Sequence, residues 1–178
     1  LQMVGKRSKQ RRNSFLGRLF DFRNDKPGDV TFVAPLVKAC TDMSASKTGA
    51  LIVIQEQLDL SMITETGIAV DAIITSSLLK NIFFKNSPLH DGAVVINNNR
   101  IVAAKCILPS TQSDVPVSFG MRHRAALGVS EVTDAIVVVV SEETGAISLA
   151  RNGQIKIGIA PMALQDELQA MIETANEE

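Results

Sequence analysis

His90 and Asp91 stand side by side, followed by Gly92, in the segment Ser87-Pro88-Leu89-His90-Asp91-Gly92-Ala93. A carboxylate beside an imidazole offers one oxygen and one nitrogen ligand, and the glycine lets a substrate come close to the backbone. Asp-Gly is also a common turn dipeptide, so a plain turn is the competing reading. A second cluster, Gly120-Met121-Arg122-His123-Arg124-Ala125-Ala126, gathers cationic side chains at the expected start of a helix. Residues i and i+2 of a helix point to nearly opposite sides, so Arg122 and Arg124 converge on one ligand only if the first lies in the cap or loop. That arrangement would add backbone N–H groups and the positive end of the helix dipole to two guanidinium forks, a combination suited to polyphosphate. The alternative is a helix start with solvated charges, a poor place for cations because the dipole disfavours them there. The chain has two histidines, His90 and His123, one in each cluster. A third segment, Ser141-Glu142-Glu143-Thr144-Gly145, could set a hydroxyl and a carboxylate at the mouth of a site, or form a turn.

Elements able to hold these clusters are visible in the pattern of apolar residues. Phe32, Val33, Leu36, Val37, Cys40 and Met43 have helical spacing from about Val30 to Met43, with Asp29 as a possible cap and Pro35 tolerable near the first turn. Lys47-Thr48-Gly49 ends that helix, and Ala50 to Ile54 reads as a strand buried on both faces. Residues 55 to 74 form a weakly patterned connection. Ser76 and Ser77 offer a cap to a short helix carrying Leu78, Leu79, Ile82 and Phe83. Strands Ala93 to Ile96 and Ile101 to Leu108 flank Asn97-Asn98-Asn99-Arg100, a hairpin signal because Asn tolerates positive φ. A polar loop, Pro109 to Gly120, precedes helical spacing from Arg124 to Val132 and a strand from Ala135 to Val140. Thr144-Gly145 and Asn152-Gly153 mark turns between short strands. A last helix runs from about Pro161, with Met162, Leu164, Leu168, Met171 and Ile172 inward. Hairpins together with crossovers predict one α/β domain, a central mixed sheet flanked by helices.

Composition narrows the function classes. With 178 residues, 46% of them hydrophobic and 21% charged, the chain can build one core of its own. Its longest apolar run, Ala135 to Val140, is far short of the roughly 20 residues a membrane helix needs. Trp and Tyr are absent, which argues against an aromatic platform for single-stranded nucleic acid. There is no Walker loop, no Gly-x-Gly-x-x-Gly, no Gly-x-Ser-x-Gly elbow and no paired-cysteine zinc motif. Net charge is −1, yet residues 1–24 carry seven basic side chains against Asp21 alone. Residues 1–28 therefore read as a basic arm, either a tether to anionic lipid or nucleic acid or a solvated linker, and 29–178 as the domain proper. Cys40 and Cys106 lie in apolar surroundings and read as buried thiols of a reducing compartment. The chain begins at Leu1 rather than Met and is read as a fragment of something longer.

Taken in order, Gly49-Ala50-Leu51-Ile52-Val53-Ile54, Leu89-His90-Asp91-Gly92-Ala93, Arg122-His123-Arg124-Ala125-Ala126-Leu127-Gly128 and Ser141-Glu142-Glu143-Thr144-Gly145 resemble the diadenylate cyclase (DAC) domain. The likeness runs from about Val30 to Gly153, and Asp-Gly-Ala with Arg-His-Arg is the defining pair. The resemblance implies synthesis of cyclic di-AMP from two ATP, each ribose 3′-hydroxyl attacking the other's α-phosphorus with release of two pyrophosphates. It implies that Asp91 holds a divalent metal and helps activate the 3′-hydroxyl, with His90 as a further ligand. Mg²⁺ suits the oxygens, whereas a His in the shell shifts preference toward Mn²⁺ or Co²⁺. Arg122 and Arg124 would neutralise the triphosphate, with His123 holding the motif together. Gly92 and Ala93 would admit the nucleotide to the strand, and Leu89 would line its site. Leu108 would pack against adenine, Ser141 would meet phosphate oxygens, and Glu143 would join the metal shell. Met121 departs from the Thr that the family often carries there, removing one polar contact.

One domain presents one ATP, and ring closure needs two facing each other. A two-fold homodimer through the active face, at least transient, therefore follows from the implied reaction. The basic start resembles the segment after the transmembrane helices of the membrane-tethered DAC enzymes, which implies a catalytic part at the cytoplasmic face of the membrane. A non-catalytic sensor of ATP or cyclic di-AMP is the alternative. A nucleic-acid module driven by the arm is a further rival, and no nucleic acid is expected as a partner.

Overall fold

The computed structural model describes residues 31–177. The helix α1 (Val33–Ala45) leads into β1 (Ala50–Ile54), followed by a single turn α2 (Ser61–Thr64), β2 (Ile68–Ile73) and α3 (Ser76–Phe83). The hairpin β3 (Ala93–Asn97) and β4 (Arg100–Cys106) precedes α4 (Met121–Val132), β5 (Ile136–Val140), β6 (Ile147–Arg151), β7 (Gln154–Ile159) and α5 (Pro161–Glu177). The seven strands form one sheet in the order β2-β4-β3-β1-β5-β6-β7. β1 and β3 are parallel and every other neighbouring pair is antiparallel, so the sheet is mixed.

The apolar runs at the centre follow from burial on both faces. Alternate residues of β1 and β5, namely Ile52, Ile54, Ile136 and Val138, pack with Leu36, Cys40 and Met43 of α1, Leu79 and Phe83 of α3, and Leu164 and Leu168 of α5. The intervening residues, Leu51, Val53, Val137 and Val139, pack on the other face with Ala126 and Val129 of α4. A strand covered on both sides has no solvent face to mark with polar residues, so it reads as a continuous run. The hairpin between β3 and β4 turns on Asn98 and Asn99, at φ of 48° and 57°, as the asparagine run predicts.

Several boundaries differ from the expectation. α1 starts at Val33 behind Phe32, without a side-chain cap, and Asp29 lies outside the described residues, as does the basic arm. The cap of α3 is Thr75, whose Oγ1 accepts from the Leu78 N–H at 3.1 Å, rather than Ser76 or Ser77. Residues 55–74 are not mere connection: they contain α2 and the edge strand β2. β2 is exposed on both sides at most positions and shifts register between Ala69 and Ala72, with Asp71 at φ 48°, so no simple alternation survives in its sequence. Met162 is 95% exposed, whereas Leu164, Leu168 and Ile172 are buried. Two residues before Leu164 on α5, it falls on the opposite face of the helix from the buried stripe.

Candidate active site

One end of the sheet gathers the chemistry. β1, β2 and β3 begin there while β4 and β5 end there, because β4 and β5 run opposite to their neighbours. The N-terminus of α4 arrives at the same end. Between them lies a cavity of about 810 Å³, within the range of small-molecule sites. It is lined by His90, Asp91 and Gly92 from the loop before β3 and by Leu108 just after β4. Met121, Arg122 and His123 come from α4, and Ser141 and Glu143 from the turn after β5. The carboxylate cluster and the guanidinium cluster therefore open onto a common space.

His90 is oriented by its own loop. Its Nδ1 is 2.7 Å from the Ser87 carbonyl oxygen, so Nδ1 carries the proton and donates, leaving Nε2 as a lone-pair donor. A carbonyl holding the far nitrogen is the usual support for a metal-binding imidazole. Gly92 has φ 113°, and a Cβ there would fall 2.8 Å from the Lys105 carbonyl carbon, so both conformation and space demand glycine beside Asp91.

α4 starts behind Gly120, which has no side chain to cap the first turn. Arg122 Nη1 lies 3.1 Å from Glu142 Oε2. His123 is 7% exposed, its ring centroid 5.4 Å from that of Phe119 and its Nε2 3.4 Å from Ser148 Oγ on β6. Burial pulls its pKa below the ordinary 6.5, against a smaller opposing pull from the Glu143 carboxylate. A neutral imidazole wedged between helix and sheet serves to seat α4. The Ser141 hydroxyl accepts from the N–H groups of Glu143 and Thr144, each at 3.2 Å, which folds the turn that carries both glutamates.

Three expected site residues lie elsewhere. Arg124 is not among the lining residues, and its Nε donates to the Phe119 carbonyl at 3.4 Å. With α4 beginning at Met121, both arginines are helical and diverge, so the loop or cap geometry needed for convergence is not met. Ala93 is fully buried in the sheet core, and Leu89 is half-buried against the opposite core layer. The cavity also takes Leu51, Ala125 and Glu142, which stood in the motifs without an assigned role, and Thr66, Gly67, Ile68, Lys105, Cys106, Ile107 and Ser118, which no motif included. The positive φ of 57° at Lys105 and the exposed position of β2 are tertiary features with no local signature. Glu142 was within sight, adjacent to Glu143 in the quoted turn.

The lining holds two cations, Lys105 and Arg122, against three carboxylates, Asp91, Glu142 and Glu143. A polyphosphate would enter such a pocket only with positive charge of its own accompaniment. No group of three or more His, Cys, Asp or Glu side chains able to hold a metal occurs among the described residues. His90 and Asp91 both line the cavity and offer one imidazole nitrogen and one carboxylate, donor types a divalent cation accepts.

Fold and cavity together define a mixed α/β domain with a ligand loop and a helix N-terminus facing one pocket. Comparison with known proteins makes the class specific. The model of the DAC family, described as DisA bacterial checkpoint controller nucleotide-binding, matches residues 37–155, and the chain belongs to that family. It is 44% identical over 139 residues to the cyclic di-AMP synthase CdaA of Bacillus subtilis (strain 168), covering 78% of this chain and 51% of that protein. A crystal structure of a DacA double mutant from Staphylococcus aureus superposes with a TM-score of 0.77 at 41% identity, covering 79% of this chain and 95% of that one. A hypothetical membrane spanning protein from Bacillus cereus gives a TM-score of 0.69 at 45% identity over 71% of this chain and 63% of its own. The chain spans about half the length of the Bacillus subtilis relative.

Proposed function

We propose that this chain is the catalytic portion of a diadenylate cyclase, joining two ATP into cyclic di-AMP with release of two pyrophosphates. The observation that carries the reading is the shared cavity of Asp91 and Arg122, 31 positions apart in a chain of the DAC family. In each half-reaction a ribose 3′-oxygen forms a bond to the α-phosphorus of the other ATP. The bond from that phosphorus to the bridging oxygen breaks, and pyrophosphate leaves with its electron pair. Asp91, exposed at the mouth, accepts the hydroxyl proton or orients the hydroxyl. Arg122 meets charge developing on the departing pyrophosphate. Leu108 packs on the base, Ser141 borders the phosphates, and Met121 adds apolar contact at the rim.

A divalent metal, Mn²⁺, Mg²⁺ or Co²⁺, would be held by His90 and Asp91; Glu143 shares the cavity lining but does not complete a three-residue metal group with them. When bound it supplies charge neutralisation and lowers the pKa of a coordinated hydroxyl. Arg124 lies outside the lining, so its part is to brace the Phe119 carbonyl and the entry to α4.

One cavity accommodates one nucleotide, so two copies meet through their active faces in a two-fold homodimer. The reading includes a membrane tether with this domain on the cytoplasmic side; the tether is supported by the Bacillus cereus relative, a hypothetical membrane spanning protein. No helix among the described residues is long and apolar enough to cross a membrane. Incubation with ATP and Mn²⁺ followed by chromatography tests the reading. Cyclic di-AMP and pyrophosphate are expected in a ratio of one to two; nucleotide bound with neither product formed would mark a sensor.

A further inference from the structure

We infer that Gly49 is a positioning residue for Arg122: the absence of a side chain at the entry to β1 creates the seat on which the guanidinium is held. A Cβ on Gly49 would lie 2.7 Å from Arg122 Cζ, 2.7 Å from Nη1 and 3.1 Å from Nε. Three atoms of one planar group at such distances mean that the guanidinium packs directly against the Gly49 α-carbon. Gly49 is not among the residues with positive φ, so its backbone would accept any residue; only the space requires glycine. The seat joins two elements 73 positions apart in sequence, the start of β1 and the second residue of α4.

Arg122 has one further restraint, the ion pair of Nη1 with Glu142 at 3.1 Å. The Glu142 side chain is 62% exposed, so that contact is screened by water and salt and holds weakly. The contact with Gly49 is steric and is not screened. The two restraints act together, the seat by shape and the ion pair by charge. Together they hold Arg122 at the cavity lining, where phosphate oxygens would meet it.

The inference rests on Arg122 meeting nucleotide phosphates, and a cycle of variants separates the two ideas. Gly49→Ala, Arg122→Ala and the double variant are compared by steady-state kinetics with ATP and by thermal midpoint. A methyl group on Gly49 moves the guanidinium by about 1 Å, so kcat/KM should fall about 10- to 100-fold in Gly49→Ala. In the Arg122→Ala background the same change should cost less than about 2-fold, because no guanidinium remains to displace. Gly49→Ala should cost less thermal midpoint in the Arg122→Ala background than in the unaltered chain, since the three atoms nearest the added methyl all belong to Arg122. Unaltered kinetics in Gly49→Ala beside a defective Arg122→Ala would overturn the positioning role while sparing the phosphate role. An equal loss of kcat/KM in both backgrounds would overturn it also. An undiminished Arg122→Ala would remove the phosphate role and this inference with it.

Discussion

His123 borders the cavity yet is held mainly by the structure behind it, between Phe119 and Ser148. Its neighbours in sequence differ in fate: Arg122 lines the cavity beside it, while Arg124 turns to the Phe119 carbonyl. The pull of burial puts the folded pKa of His123 below the ordinary 6.5, with Glu143 opposing. The unfolded chain therefore binds the proton more readily, and the stability His123 contributes is present above about pH 6.5 and lost as pH falls. His123→Gln keeps a hydrogen-bonding group but cannot titrate. Its thermal midpoint should lie below that of the parent at pH 7.5, by about 1–3 kcal/mol of stability for a disturbed buried contact, with the gap narrowing toward pH 5.5. Midpoints that stay parallel across this range would mean that His123 does not titrate with folding. The residue types of this motif were legible in the sequence, but their division between ligand and structure was not. That division depends on the first helical residue, and a shift of the start from Arg124 to Met121 turns each side chain to a different face.

At the scale of elements, the buried strands were the easiest to read and β2 the hardest, for opposite reasons. β1 and β5 are apolar throughout because helices cover both faces, whereas β2 is a bulged edge with little burial to leave a pattern. The far end of β1 carries a second electrostatic feature. Glu56 is pushed up to about 7, first by burial and then by the Asp134 carboxylate, with Arg151 acting the other way. Asp134 itself accepts from the Gln57 and Leu58 N–H groups, tying the connection after β1 to the start of β5. A raised carboxyl pKa means that the folded chain binds the proton more readily, so stability falls as pH rises from about 4.5 to about 7. This opposes the trend at His123, and the two must be read in separate variants. Glu56→Gln should raise the thermal midpoint at pH 8 by roughly 2–4 °C, about 1 kcal/mol in a chain of this size, and give no gain at pH 4.5. A gain equal at both pH values would show that charge is not the cause. Because Glu56 lies at the opposite end of β1 from the cavity, turnover should not change.

For the whole molecule, the decisive fact is that strands close in space are distant in sequence. β1 lies between β3 and β5, and this order brings the loop before β3 and the turn after β5 to one end beside α4. Hydrophobic periodicity identifies strands but does not order them, so the common cavity was visible in the sequence only through family likeness. Lys105, Ile107 and Thr66 enter the lining through that strand order, and no local signal marks them. One active cavity per copy, as the proposed reaction has it, also has a kinetic consequence. If two copies must meet face to face, turnover per mole should fall on dilution, approaching proportionality to enzyme concentration once the copies are mostly apart. Specific activity independent of concentration over a 100-fold dilution would exclude an encounter between separate copies.

The comparison of the unaltered chain with Asp91→Asn, by product chromatography after incubation with ATP and Mn²⁺, bears most directly on the shared cavity as a catalytic centre. Asp91 is exposed, so the variant should keep its thermal midpoint within about 2 °C. Cyclic di-AMP should fall at least about 100-fold, the scale expected for losing a group that handles the reacting proton. A folded Asp91→Asn that makes cyclic di-AMP at the unaltered rate would contradict the assignment.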